Sequence, residues 1–186
     1  MAWRKKRSVM RRYNLTAQMY DERYCEEQEA KYKAALDGVN LVCNSVVLDV
    51  GCGSGMFFSK VADKVASLVG VDVSRGLLLL AKERAKTYPS ASIIQADADH
   101  LPFKRDLFSH VFAFTVLQNM PKPALTLQEL KLVSKKDAFF VVTGLKAAVS
   151  LEAFGQVLET AGLRAVSLRD DEALRCYVVT AVQGES

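Results

Sequence analysis

Three alternating glycines, Gly51, Gly53 and Gly55, follow Asp49, and two further carboxylates, Asp72 and Asp97, stand downstream. These are the residues whose types and spacing can do chemistry. Alternating glycines let the main chain turn sharply and approach a ligand closely. The run Val46-Val47-Leu48-Asp49-Val50 ahead of them is β-branched and aliphatic, which marks a strand buried on both faces, and a helical pattern follows from about Met56 to Ala66. Strand, glycine turn and helix start together put free N–H groups and the positive end of a helix dipole at the carboxyl end of a central strand. That is a nucleotide-type site. Asp72 ends the next strand, Ser67–Asp72, about 20 residues beyond Gly51, where a carboxylate can accept both ribose hydroxyls. Ser74 is the better cap for the helix that runs on to about Tyr88, which leaves Asp72 free for that task.

The spacing chooses among nucleotides. A dinucleotide fingerprint needs G-x-G-x-x-G, and here Met56 stands where the third glycine belongs. The string Asp49-x-Gly51-x-Gly53-x-Gly55 instead resembles the first motif of class I S-adenosylmethionine-dependent methyltransferases. A second match, Asp97-Ala98-Asp99-His100-Leu101-Pro102-Phe103, is similar to that family's D-A-x-x-L-P-F. The resemblance implies a cofactor set of Asp49, Gly51, Cys52, Gly53 and Gly55 at the methionine end, Asp72 and Val73 at the ribose, Asp97 and Ala98 at the adenine, and Thr115. Tyr20-Asp21-x-x-Tyr24 resembles the family's Y-D-x-x-Y segment, which folds over the cofactor and substrate mouth. Packing of Tyr20 and Tyr24 against the sheet edge accounts for the same residues. Gln118-Asn119-Met120-Pro121 shares an asparagine and one proline with the N-P-P-Y element of amine methyltransferases, but lacks the second proline and the aromatic. Asn119 and Gln118 are therefore the catalytic candidates. They either accept from an acceptor's N–H or lie beside the cofactor.

Composition narrows the class. The chain of 186 residues is half hydrophobic and a quarter charged, as expected for one globular domain. Cys25, Cys43, Cys52 and Cys176 are scattered, and with only His100 and His110 besides, no metal-ligand cluster is expected. The pattern suits a reduced, cytoplasmic, metal-free protein. None of the cysteines falls near the fourth or fifth strand, where pyrimidine carbon methylation would need a nucleophile. The net charge of +4 is unevenly spread: Arg4, Lys5, Lys6, Arg7, Arg11 and Arg12 carry six positive charges with no acid among residues 1–12, and the rest of the chain sums to −2. This basic arm reads as a solvated, frayed terminus, as a phosphate-contacting arm for RNA, or as residues preceding the natural start at Met10.

The elements expected to carry these residues are a helix over about Tyr13–Leu36 and strands near Ser92–Ala96, Ser109–Phe114, Ala138–Thr143, Arg164–Leu168 and Ala173–Val182, with helices over about Pro123–Ser134 and Leu151–Ala161. The chain divides into a basic arm with an N-terminal helix, residues 1–38, and a cofactor-binding domain, residues 39–186. The resemblance implies a Rossmann-like three-layer α/β/α sandwich whose seven-stranded sheet runs 3-2-1-4-5-7-6 with the last strand antiparallel. No insertion, lid or second domain is expected. It also implies a methyltransferase acting on a macromolecule of the translation apparatus (RNA modification, or a translation factor), working with a small zinc-ribbon activator subunit. The alternatives are a quinone-type small-molecule acceptor and a non-catalytic S-adenosylmethionine-binding subunit.

Overall fold

A computed structural model describes residues 2–184. Its centre is a seven-stranded sheet in the order β3-β2-β1-β4-β5-β7-β6. The strands are β1 (Val46–Val50), β2 (Ser67–Asp72), β3 (Ala91–Gln95), β4 (Phe108–Ala113), β5 (Ser134–Leu145), β6 (Leu163–Arg169) and β7 (Cys176–Gln183). The strands from β3 through β5 pair in parallel, whereas β7 runs antiparallel between β5 and β6. This is the order expected from the resemblance. The helices are α1 (Ala2–Thr16), α2 (Tyr20–Leu36), α3 (Phe58–Val61), α4 (Arg75–Ala85), α5 (Pro123–Val133) and α6 (Leu151–Thr160). Leu48 and Val50 of β1 face a core completed by Leu127 and Leu130 of α5 and Phe154 and Leu158 of α6. Val47 faces the opposite core, completed by Tyr32 of α2, Phe58 of α3 and Leu78 of α4. The continuous apolar run is thus a strand covered on both faces, because side chains alternate across it.

Three expectations needed correction. The helix read over Met56–Ala66 is only the single turn α3, tightening into a 3₁₀ turn at Ala62–Lys64. The chain must fold back at once so that Ser67 can pair with Val46, and Ala66 N donates to Ser45 O at 2.9 Å. The basic arm is not frayed: it is α1, a helix laid over the carboxyl ends of the strands. Asn14 fastens it, its Oδ1 accepting from Gly76 N at 2.9 Å and from Ser74 Oγ at 2.7 Å. Lys5 Nζ donates to the carbonyls of Gln118 and Met120, at 3.1 and 2.9 Å. Where no lid was expected, α1 is a cover. Met1, Glu185 and Ser186, of the two segments drawn from the sequence, lie outside the described residues.

Candidate cofactor and acceptor site

The glycine turn is built by the residues that surround it. Gly51 N and Cys52 N both donate to Val71 O, at 2.8 and 3.0 Å, which bends the chain over the end of β2. Asp72 accepts from Gly53 N at 2.9 Å and from Ser74 N at 2.8 Å, so one carboxylate braces the turn and the start of α4. Ser74 Oγ caps α4 by accepting from Leu77 N. Burial raises the Asp72 carboxyl above its ordinary pKa, against the opposing pull of these backbone N–H groups. Gly53 sits at φ +58°, and a Cβ there would lie 3.5 Å from the ring of Tyr20. At Gly51, φ +68°, a Cβ would meet Val116 Cγ2 at 2.5 Å, so that position admits no side chain without a shift.

The first helical turn of α2 is tied to this loop. Ser54 Oγ donates to Asp21 Oδ1 at 2.5 Å, and Arg84 bridges the same aspartate to Ser54 O. Tyr20 is therefore held across Gly53, with Tyr13 and Tyr24 packed on it at ring separations of 5.9 and 4.9 Å.

The resulting cavity lies over β1, β2, β3 and β4. Gly51, Gly53, Asp72, Val73, Asp97, Ala98, Thr115, Asn119 and Tyr20 line it, together with Lys6, Val9 and Tyr13 of α1. Five candidates fall elsewhere. Cys52 packs its sulfur into the core beside Gly70, with burial raising the thiol pKa. Gly55 lies over the ring of Phe58, and Tyr24 and Gln118 line a neighbouring cavity. Asp49 is buried behind the turn; its Oδ2 has no partner, and burial, with the charge of Asp72 added, pushes its carboxyl up to about 8.

S-adenosylmethionine suits these residues chemically. Asp49 offers a buried oxygen in want of a partner, and Asp72 and Asp97 line the cavity with further acceptors. With α1 seated, however, the cavity measures only about 80 Å³. Small-molecule sites generally need roughly 300 Å³ or more, so α1 must shift to admit a cofactor. Its latch is Lys6, whose Nζ lies 2.7 Å from Asp97 Oδ1 and 2.5 Å from Asp99 Oδ2. Burial opposes the charge of Lys6, yet its bonds to the two aspartates hold its pKa above the ordinary lysine value.

A second cavity of about 360 Å³ adjoins the first, sharing Tyr13, Tyr20, Thr115 and Asn119 with it. Thr115 holds a strained φ of +61°, unusual for a β-branched residue. Its N–H donates to Thr143 Oγ1 at 2.8 Å, its carbonyl accepts from Asn119 Nδ2 at 3.0 Å, and its hydroxyl accepts from Lys31 Nζ at 3.0 Å. Asn119 Oδ1 meets Arg12 at 3.3 Å. Sequence reasoning missed Lys6, Gln28 and Lys31. For the last two a signal existed, since helical spacing carries the face of Tyr20 and Tyr24 on to Gln28 and Lys31.

A glycine turn after the first strand, carboxylates closing the second strand and following the third, and a 3-2-1-4-5-7-6 sheet define an S-adenosylmethionine-dependent class I methyltransferase domain. The family model described as a methyltransferase domain matches residues 48–142, and the chain belongs to that family. A demethylmenaquinone methyltransferase from Staphylococcus saprophyticus is 29% identical over 119 residues, 62% of this chain and 51% of that protein. The chain thus spans about half the length of the curated relatives it matches. A S-adenosylmethionine-dependent methyltransferase from Aquifex aeolicus superposes with a TM-score of 0.73 at 20% identity, covering 81% of this chain and 88% of that one. The complex between the Haloferax volcanii Trm112 methyltransferase activator and a methyltransferase gives a TM-score of 0.81 at 18% identity, covering 96% of this chain and 98% of that one.

Proposed function

We propose that this chain transfers the methyl group of S-adenosylmethionine to a small acceptor of quinone type. The observation that carries this reading is the second cavity. Its volume of about 360 Å³ falls within the range of small-molecule sites, and it meets the cofactor cavity at Tyr20, Thr115 and Asn119. α2 lines both cavities, so the second cavity does not depend on α1 alone. The relatives named demethylmenaquinone methyltransferase carry a quinone-type acceptor in that name. Methyl transfer needs mainly alignment and exclusion of water, since the cofactor brings the electrophile. The test is formation of S-adenosylhomocysteine with a reduced demethylnaphthoquinone, followed by mass spectrometry and set beside unfractionated tRNA. Turnover with the hydroquinone is expected; methylation of tRNA alone would overturn the reading.

Two observations favour a translation-apparatus acceptor with a zinc-ribbon activator. β3 is a free edge of the sheet with Ile94 partly exposed, and the exposed Arg4, Arg7 and Arg11 share one face of α1. Activity in the tRNA arm that appears only when a zinc-ribbon protein is added would support this second reading.

A further inference from the structure

The second cavity carries more chemistry than its size. Its floor is formed where β4 and β5 end, at Thr115 and Leu145, while the cofactor cavity reaches over β1, β2 and β3. A ligand in it would therefore lie on the far side of Thr115 from the adenine-facing end. One wall is aromatic, made by Tyr13, Tyr20 and Tyr24 packed in sequence. Such a wall offers flat area to a planar ring.

Gln28 and Gln118 line this cavity, and each has a buried amide oxygen without a partner. Gln28 is only 5% exposed, and its Oε1 has no hydrogen bond, while its Nε2 donates to Tyr20 Oη at 3.3 Å. Gln118 Oε1 is likewise buried and without a partner. Leaving a buried acceptor unsatisfied costs free energy, and native structures rarely do so without a reason. Both oxygens can be satisfied only by a donor. A carboxylate or phosphate would set its own oxygens against them.

Three cations, Arg12, Lys31 and Arg175, and one carboxylate, Glu27, also line the cavity. Lys31, buried in the same wall, is already paired to Glu27 Oε1 at 2.6 Å and bonded to Thr115 Oγ1. Glu27 has Arg175 as a second cation at 3.6 Å. Lys31 and Glu27 thus hold each other, and the two amide oxygens, which can only accept, select a ligand with hydroxyl donors.

We propose that this cavity is the acceptor subsite, taking a planar aromatic ring whose hydroxyl groups donate to Gln28 and Gln118. The proposal rests on the methyltransferase reading with a small acceptor and adds the chemistry that selects it. The discriminating probes are β-naphthol and its methyl ether, which share a ring and differ in the donor. Calorimetry on the full chain saturated with S-adenosylhomocysteine should show β-naphthol bound roughly tenfold more tightly than the ether, the worth of about one satisfied hydrogen bond. Either Gln28→Met or Gln118→Met should shrink that preference, because the single hydroxyl donates to one oxygen at a time. Gln118 is only half-buried, so its variant remains informative should Gln28→Met fail to fold. Equal affinity for the two probes, or a preference untouched in both variants, would overturn the subsite. Failure of the wild-type chain to bind S-adenosylhomocysteine would overturn the methyltransferase reading instead, whereas normal binding with no discrimination between the probes would remove only the subsite.

Discussion

Lys31 donates to Thr115 across 84 positions of chain, joining α2 to the strained residue that follows β4. The lysine is 1% exposed and also pairs with Glu27. This bond is one reason the wall between the two cavities keeps its shape: Thr115 stays at positive φ because its N–H, carbonyl and hydroxyl are all engaged. Lys31→Met should therefore lower stability by about 2 kcal/mol, through the lost charge-assisted bond and a carboxylate left with a weaker partner. Chemical denaturation measures it; an unchanged midpoint would show that Thr143 and Asn119 hold Thr115 unaided.

Asp72 has two duties. It braces Gly53 and Ser74 and lines the cofactor cavity. Asp72→Asn should weaken S-adenosylmethionine binding by roughly 1–3 kcal/mol, because a charged acceptor is lost to the ribose hydroxyls. Calorimetry returning the wild-type affinity would remove Asp72 from the ribose.

Asp49 predicts a pH dependence. Burial lifts its carboxyl from an ordinary 3.8 to about 8, so the folded state holds a proton that the unfolded chain has already released. That contribution is fully present below about pH 4 and is lost as pH rises towards 8. Asp49→Asn does not titrate. Relative to wild type, the variant should thus gain stability with rising pH, by up to roughly 1.4 kcal/mol per unit within that window. A stability difference that stays flat from pH 5 to about 8 would show Asp49 ionised in the fold.

Lys6 and Asp97 make the cover conditional. A cofactor reaching Asp97 must displace Lys6, and binding is weakened by the fraction of molecules in which α1 is closed. Lys6→Met should speed S-adenosylmethionine association, by roughly tenfold if the latch is worth about 1.4 kcal/mol. Stopped-flow mixing reads the rate. A slower or unchanged rate would mean that Lys6 helps hold the cofactor rather than excluding it.

How much of this was legible beforehand depends on distance along the chain. β1, its glycine turn and Asp72 are local patterns, and apolar runs broken by glycine specify them within a few residues. The role of α1 is not local. Lys6 meets Asp97 across 91 positions, and Lys5 meets Met120 across 115. From the sequence alone these lysines look like an unopposed basic run, because their partners arrive only with the fold. The short α3 escaped for a related reason: helical periodicity continues past Val61, but the pairing of Ser67 with Val46 ends the helix early. Gln28 and Lys31 continue a visible helical face, yet their use depends on Thr115 and Gln118 coming opposite.

Asn119 decides between two accounts of the wall facing the acceptor. Its Nδ2 donates to Thr115 O at 3.0 Å, while its Oδ1 meets the exposed Arg12 at a longer 3.3 Å. If the oxygen serves the acceptor, Arg12 is easily displaced and the side chain accepts from the incoming group in the transition state. Asn119→Asp would then preserve kcat, whereas Asn119→Ala would lower it with cofactor affinity intact. If the amide nitrogen matters more, both variants lose the bond that fixes Thr115, and aspartate adds an oxygen facing a carbonyl. The geometry favours the second account, because the shorter, better-shielded bond is the one to Thr115. Both variants should therefore lower stability by about 1 kcal/mol, with Asn119→Asp no milder than Asn119→Ala, and both should raise the KM for S-adenosylmethionine. Thermal denaturation and steady-state kinetics on the pair measure this together. An Asn119→Asp enzyme with wild-type kcat and stability would return Asn119 to direct contact with the acceptor.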